Sequence, residues 1–228
     1  MMRCPIDYVL TQQELELCIN FARDSAPTQQ DYEFGERSTG ARTAFEISRD
    51  NLIGKIAEVA FKNIIEANYP SIPEINLDFE VYERGKYDEQ DASINGYNID
   101  VKGTREGGRW FLIEWNKLRF RSRENKLPQY FAAFSVGWDR LRDYPSGKAT
   151  FQGLIPIAWL SFPHAIKEAR IEILRKDSFI PNTGTRLQTD NYGIRFCHLI
   201  RSDKGINACI NNMVNGKEKE VLDFILPE

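Results

Sequence analysis

Histidine is nearly missing from this chain. Only His164 and His198 occur in 228 residues, and the four cysteines (Cys4, Cys18, Cys197, Cys209) form no C-x-x-C pair. Zinc fingers, H-E-x-x-H peptidases and nucleases of the H-N-H type need more His or Cys at closer spacing, so those chemistries are excluded. Dispersed cysteines in ordinary apolar or helical contexts read as a reduced, cytoplasmic chain rather than a disulfide scaffold. No apolar run approaches the ~20 residues of a spanning helix, and no membrane association is expected. The longest runs, Tyr130 to Trp138 and Gly153 to Phe162, are strand-sized. The first residues lack the apolar stretch of a secretory signal. A G-x-S-x-G elbow, a Walker loop and a G-x-G-x-x-G turn are absent, which argues against serine hydrolase, NTPase and dinucleotide-binding readings together. Strong charge of one sign is missing too: 30 Lys plus Arg stand against 33 Asp plus Glu, a net of −3. That argues against a polybasic nucleic-acid binder but leaves room for a local basic groove.

What is present suits one packed domain. Hydrophobic residues make up 42% of the chain and aromatics 12%, enough for a core at this length. Thr11 and Glu14 form a capping box for a helix over 11–26, with Leu15, Cys18, Ile19 and Ala22 at core spacing. Residues 26–49 are polar and read as a long loop or arm. Asp50 is placed to cap a second helix, Asn51 to Ala67. Strands are expected over 76–82, 91–94, 97–103, 110–115, 129–138 and 149–160. A helix from Pro163 to about Leu174, a strand over 192–200 and one or two helices after Ser202 complete the chain. The four tryptophans read as core residues. The order of elements predicts an α/β fold, a central mixed β-sheet flanked by helices with helical additions at both ends. We divide this single domain into an N-terminal helix and arm (1–49), a core (50–160) and a completing helix-strand-helix segment (161–228).

The segment DASINGYNIDVKGT, Asp91 to Thr104, carries the chemistry. Asn95-Gly96 signals a type I′ hairpin turn, which needs φ > 0 at both central residues. That turn pairs Ile94 with Tyr97, Ser93 with Asn98, Ala92 with Ile99 and Asp91 with Asp100. Opposed residues share a face, as do residues two apart on a strand, so Asp91, Asp100 and Lys102 converge on one side. Ala92, Ile99 and Val101 take the other, which suits a core. Two aspartates directly opposite each other destabilise a hairpin unless something neutralises them. Two readings are open. A hard divalent cation, Mg²⁺ or Mn²⁺, binds the pair while Lys102 orients a water or stabilises charge on a phosphoryl oxygen. Alternatively, this is a solvent-facing edge on which Lys102 offsets the acids. Asp88 falls across from Gly103 on the opposite face and ranks second to Asp91 as the first acid, an order that a one-residue bulge reverses.

The helix NLIGKIAEVAFKNIIEA places Glu58 at the border of a broad apolar face, with Gly54 one turn before it. Glu58 is either a further functional carboxylate or a rim residue paired with Lys62 at i+4.

Taken together, a helix bearing G-K-I-A-E, then an aspartate, then D-V-K-G-T after a hairpin resembles the PD-(D/E)xK nuclease superfamily. The resemblance covers about residues 50–160 and implies the restriction-endonuclease-like fold. It implies that Asp91 and Asp100 are metal ligands for Mg²⁺, with Mn²⁺ able to substitute. Lys102 is then the water-orienting or charge-stabilising base, Glu58 an auxiliary metal or water ligand, and the Val101 carbonyl part of the metal shell. Gln90 stands where the family's proline would be. The Q-x-x-x-Y element of the RecB-like branch is absent, since Gln129 and Tyr130 are adjacent.

Between Asp100 and Lys126 eight bases face four acids, a net of +4 in a chain that nets −3. Lys117, Arg119, Arg121 and Arg123 alternate with Leu118, Phe120 and Ser122. If extended, they set four cations on one face for phosphate contacts, or they form a charged edge strand protected from aggregation. The expected function is a metal-dependent endonuclease hydrolysing DNA, of a type II-like restriction or defence kind, acting as a homodimer or with a defence-system partner protein. Repair, junction-resolving or transposition cleavage is the alternative within the same chemistry. A catalytically inert nucleic-acid-binding subunit is the alternative from another class.

Overall fold

In the computed structural model, which describes residues 2–33, 36–37, 42–84, 86, 91–124, 126–160 and 170–216, the two longest helices start on the same device. Helix α1 spans Gln12–Gln29, and the Thr11 side chain caps the Glu14 amide while Glu14 reaches back to Thr11. Helix α2 spans Ala44–Asn68, with Thr43 and Glu46 in the same reciprocal arrangement. Each box satisfies amide donors that the first helical turn leaves without a partner. The helices pack on each other, burying Cys18 and Ala22 of α1.

A five-stranded mixed sheet lies beneath α2. Its strands, named in chain order, are β1 (Ile6–Val9), β4 (Ala92–Ile94), β5 (Tyr97–Arg105), β7 (Tyr130–Asp139) and β8 (Tyr144–Pro156), in spatial order β1-β8-β7-β5-β4. Strands β5 and β7 run parallel, and the other pairs are antiparallel. Strand β6 (Trp110–Glu114) joins β9 (Glu172–Leu174) and β10 (Asn191–Arg195) in a second, three-stranded sheet ordered β6-β10-β9. Strands β2 (Tyr32–Glu33) and β3 (Glu36–Arg37) form a short ribbon. Helix α3 spans Trp115–Arg123 and helix α4 Asp203–Val214. No helix among the described residues is long and apolar enough to cross a membrane.

The large sheet buries apolar side chains on both faces, and that frames the polar hairpin residues. On one face Ile99, Val101, Ala132, Phe134 and Val136 pack with Ile53, Ile56, Ala57 and Ala60 of α2. Phe61 of α2 meets Phe134 and Phe151 edge-on, with ring centroids 6.5 Å away in both cases. Each such buried side chain is worth about 1.5–3 kcal/mol, so these contacts hold α2 to the sheet. On the other face Phe131, Ala133 and Ile155 pack with Trp115 and Leu118 of α3 and with Tyr192 and Ile194 of the small sheet. Asp100 is in register with Phe131 and Lys102 with Ala133, so both point to this second face. Gly103 lets α2 approach closely: a Cβ there would stand 2.6 Å from the Ile53 carbonyl oxygen.

Several sequence expectations are corrected. Helix α2 starts at Ala44, not Asn51, so Asp50 lies inside it and the division at residue 50 cuts through a helix. Thr43-x-x-Glu46 is the start signal, hidden in a polar stretch read as loop. Residues 76–82 form no strand. Their neighbourhood is pinned by side chains instead, with Lys62 Nζ donating to the Ile75 carbonyl and Lys55 Nζ to that of Asp78, each at 2.7 Å. Residues 117–123 are helical, not extended. The physical reason is topological: parallel strands β5 and β7 need a crossover connection, and a helix commonly supplies it. Residues 157–160 and 196–198 leave their strands as short 3₁₀ turns. Residues 172–174 form a strand where the end of a helix is expected. Residues 170–171 are not helical either. Residues 163–169 of the expected helix, with His164, and the amphipathic KEKEVLDFIL tail lie outside the described residues. All four cysteines are free.

Candidate active site

The β4–β5 hairpin forms as its turn chemistry dictates. Asn95 has φ of 49° and Gly96 of 77°, the positive values a type I′ turn requires. Ala92 pairs with Ile99, Ser93 with Asn98 and Ile94 with Tyr97. Asn95 Nδ2 donates to the carbonyls of Met213 and Val214, tying the turn to the end of α4.

Asp91 precedes β4 and stands across from Asp100. The Val101 amide donates to Asp91 Oδ2 at 2.7 Å, which sets the Asp91 carboxyl beside that of Asp100. Burial, and then the charge of Asp100, push the Asp91 carboxyl up to about 6. Asp100 goes the other way. Burial alone would raise it, but Lys102, Lys117 and Arg121 together hold it well below the usual carboxylate range. Lys102 Nζ is 3.4 Å from Asp100 Oδ2, Arg121 Nη1 is 3.3 Å from the same atom, and Lys117 Nζ is 3.5 Å from Oδ1. The Asp100 side chain is 2% exposed, Arg121 12%, and the two lysines 24% each. Against the pull of burial, the carboxylates of Asp100 and Asp91 raise Lys102. Burial pushes Lys117 down to about 8, with Asp100 opposing.

Of the expected residues, Asp91, Asp100 and Lys102 come together, and the Val101 backbone faces the same edge. Alternate residues of a strand turn their amide and carbonyl groups to alternate sides, so the Val101 carbonyl points as its amide does, toward Asp91. Glu58 is not brought in. It lies on α2, which covers the opposite face of β5, and its carboxylate takes Lys55 Nζ at 2.5 Å in a buried pair. The expected alternative partner of Glu58, Lys62, is engaged elsewhere, with Glu66 and Glu74. Lys55 is lodged between the rings of Phe21 and Phe79, its nitrogen 4.4 Å and 5.2 Å from their centroids. Asp88 lies outside the described residues.

The four-base strip is divided by the helix. Lys117 and Arg121, one turn apart, face inward on Asp100, while Arg119 and Arg123, also one turn apart, are exposed. An i, i+4 reading of the segment would have separated these pairs. Alternation at period two fits the same letters and conceals them.

Hard oxygen donors define what the acidic pair suits. Asp100 Oδ1 is buried and accepts no hydrogen bond, although Lys117 Nζ stands near it. Two neighbouring carboxylates, an oxygen without a donor and a carbonyl at the same edge fit Mg²⁺ or Mn²⁺ by donor chemistry. Among the described residues no cluster of three His, Cys, Asp or Glu surrounds this point. Comparison with family models, with curated proteins and with solved structures finds no match for this chain.

Proposed function

We propose that this chain is a metal-dependent endonuclease that hydrolyses DNA phosphodiester bonds, built on a restriction-endonuclease-like core of the PD-(D/E)xK type. One observation carries the reading. Asp91, Asp100 and Lys102 meet on one face of a tight hairpin, in a niche that Lys117 and Arg121 of α3 also face. The order of elements supports it: a long helix, the acidic hairpin, a crossover containing a helix, and a strand parallel to the one that bears Asp100.

Asp91 and Asp100, with the Val101 carbonyl, would hold the ion. A bound Mg²⁺ supplies Lewis-acid stabilisation of the charge that develops on the phosphate. Lys102 orients the attacking water and offsets negative charge on a phosphoryl oxygen. The exposed Arg119 and Arg123 contact phosphates along the strand, which positions the substrate without reading its sequence. Glu58 has no part in this scheme. A restriction or defence setting is the reading we favour, with a homodimer cutting both strands or a partner protein licensing the cut; repair, resolution or transposition uses the same chemistry.

Plasmid cleavage with Mg²⁺ tests the proposal, comparing the native chain with Asp100→Asn and Lys102→Ala. Each substitution is expected to reduce cutting by about 10²-fold or more. Metal-dependent cutting that survives both would overturn the site. One observation favours a second reading, an inert nucleic-acid-binding subunit: three cations compensate Asp100 with no metal needed. Duplex binding without Mn²⁺ binding or cutting would select it.

A further inference from the structure

Asp100 is oversupplied with cations. Its two oxygens face three positive groups at 3.3–3.5 Å, all longer than the 2.7–2.9 Å of a tight charge-assisted hydrogen bond. Strand β5 itself provides Lys102. The other two come from α3, whose spacing turns Lys117 and Arg121 inward and leaves Arg119 and Arg123 outside. Two acids, Asp91 and Asp100, thus stand with three bases, Lys102, Lys117 and Arg121. The bases already offset the acids. A divalent cation on the acidic pair would add two positive charges in a largely buried place, and burying uncompensated charge is costly. Only an anion can offset it.

We propose that Lys117 and Arg121 are exchangeable counter-ions. They hold Asp100 while the site is empty of metal, and turn to the scissile phosphate when the ion takes the carboxylates. The inference rests on the nuclease reading and adds a consequence to it. Metal and nucleic acid bind cooperatively, each weak without the other, because Lys117 and Arg121 compete with the metal until a phosphate engages them. Such coupling is reciprocal by thermodynamic necessity. Arg121 is suited to a phosphate, since its planar fork matches two oxygens, while Lys117 contributes a compact charge.

The test reads metal affinity separately from activity. Mn²⁺ titration followed by electron paramagnetic resonance is run with and without a short duplex, on the full chain. For the native protein, the duplex is expected to tighten Mn²⁺ binding by about tenfold or more. Lys117→Ala/Arg121→Ala should bind Mn²⁺ several-fold tighter without the duplex, and the duplex should no longer improve it. Lys117→Gln/Arg121→Gln, which keeps a polar, unbranched side chain and helix propensity, should do the same if the alanine pair folds poorly. Arg119→Ala/Arg123→Ala should weaken duplex binding yet leave the duplex-free Mn²⁺ titration unchanged. Mn²⁺-dependent cutting by the native chain, together with unaltered or weaker Mn²⁺ binding in both inward double variants, overturns this inference alone. Failure of the native chain to bind Mn²⁺ at all removes the nuclease reading with it.

Discussion

The Val101 amide donates to Asp91 Oδ2 at 2.7 Å. Strand β4 begins only at Ala92, so this side chain does for β5 what a carbonyl of a longer β4 would do. The first acid is thereby held against the second, and the hairpin that creates like-charge repulsion also fixes its geometry. A site that keeps two carboxyl groups side by side holds repulsion that a ligand can relieve.

That repulsion makes Asp91→Asn a stabilising change in the metal-free chain. An unfolded aspartate titrates near pH 3.9, whereas burial and Asp100 hold Asp91 up to about 6. Between those values the folded state keeps a proton that the unfolded state has lost, so stability falls as pH rises through that window. Asparagine cannot ionise, yet it accepts from Val101 and donates to Asp100. At pH 8 the variant should melt higher by about 3 °C or more, what roughly 1 kcal/mol does in a domain of this size. The difference should vanish near pH 4, and added Mg²⁺ should stabilise only the native chain. Melting curves across pH check this; equal profiles would sink it.

Glu58 should behave as half of a structural ion pair. Lys55→Met leaves its charge buried without Lys55, at a cost of about 3–5 kcal/mol, while Lys55→Met/Glu58→Leu should recover most of the loss. Glu58→Gln should leave Mn²⁺ affinity unchanged, because α2 covers the other face of β5. A marked drop in metal affinity would return Glu58 to the metal shell.

Gly103 sets the spacing between α2 and the strand that bears Asp100 and Lys102. A methyl group there would meet the Ile53 oxygen at 2.6 Å and its Cγ2 at 2.8 Å. Backbone cannot rotate away as a side chain can, so Gly103→Ala should cost about 1–3 kcal/mol and lower cleavage through the displaced strand. Chemical denaturation and the plasmid assay would read both effects.

Asn95 serves the turn and the contact with α4 at once. Asn95→Ala should lose about 1–2 kcal/mol, from the left-handed backbone at φ of 49° and the bonds to Met213 and Val214. Asn95→Gly keeps the backbone and removes only the bonds, so its loss should be smaller. Equal losses in the two variants would mean that the φ term is negligible.

The hairpin was legible because its information is local. Asn95-Gly96 admits one turn type, the turn sets the register, and the register sets which side chains share a face. The capping box at Thr11 was legible for the same reason. The box at Thr43 carried the same letters, but the polar residues before it outweighed them. The basic segment was ambiguous in principle: Lys117, Arg119, Arg121 and Arg123 fit an alternating strand and also two one-turn pairs on a helix.

By itself, then, the sequence determined the acidic pair, its lysine and the basic character of the segment that follows, since turn chemistry and charge require no distant partner. Tertiary structure decided which cations reach Asp100 and where Glu58 goes. The crossover between parallel β5 and β7 made residues 115–123 a helix, which turned two bases inward and two outward. The packing of α1 and residues 75–79 against α2 captured Lys55, and with it Glu58. These outcomes depend on segments far apart in the chain, and no local spacing encodes them.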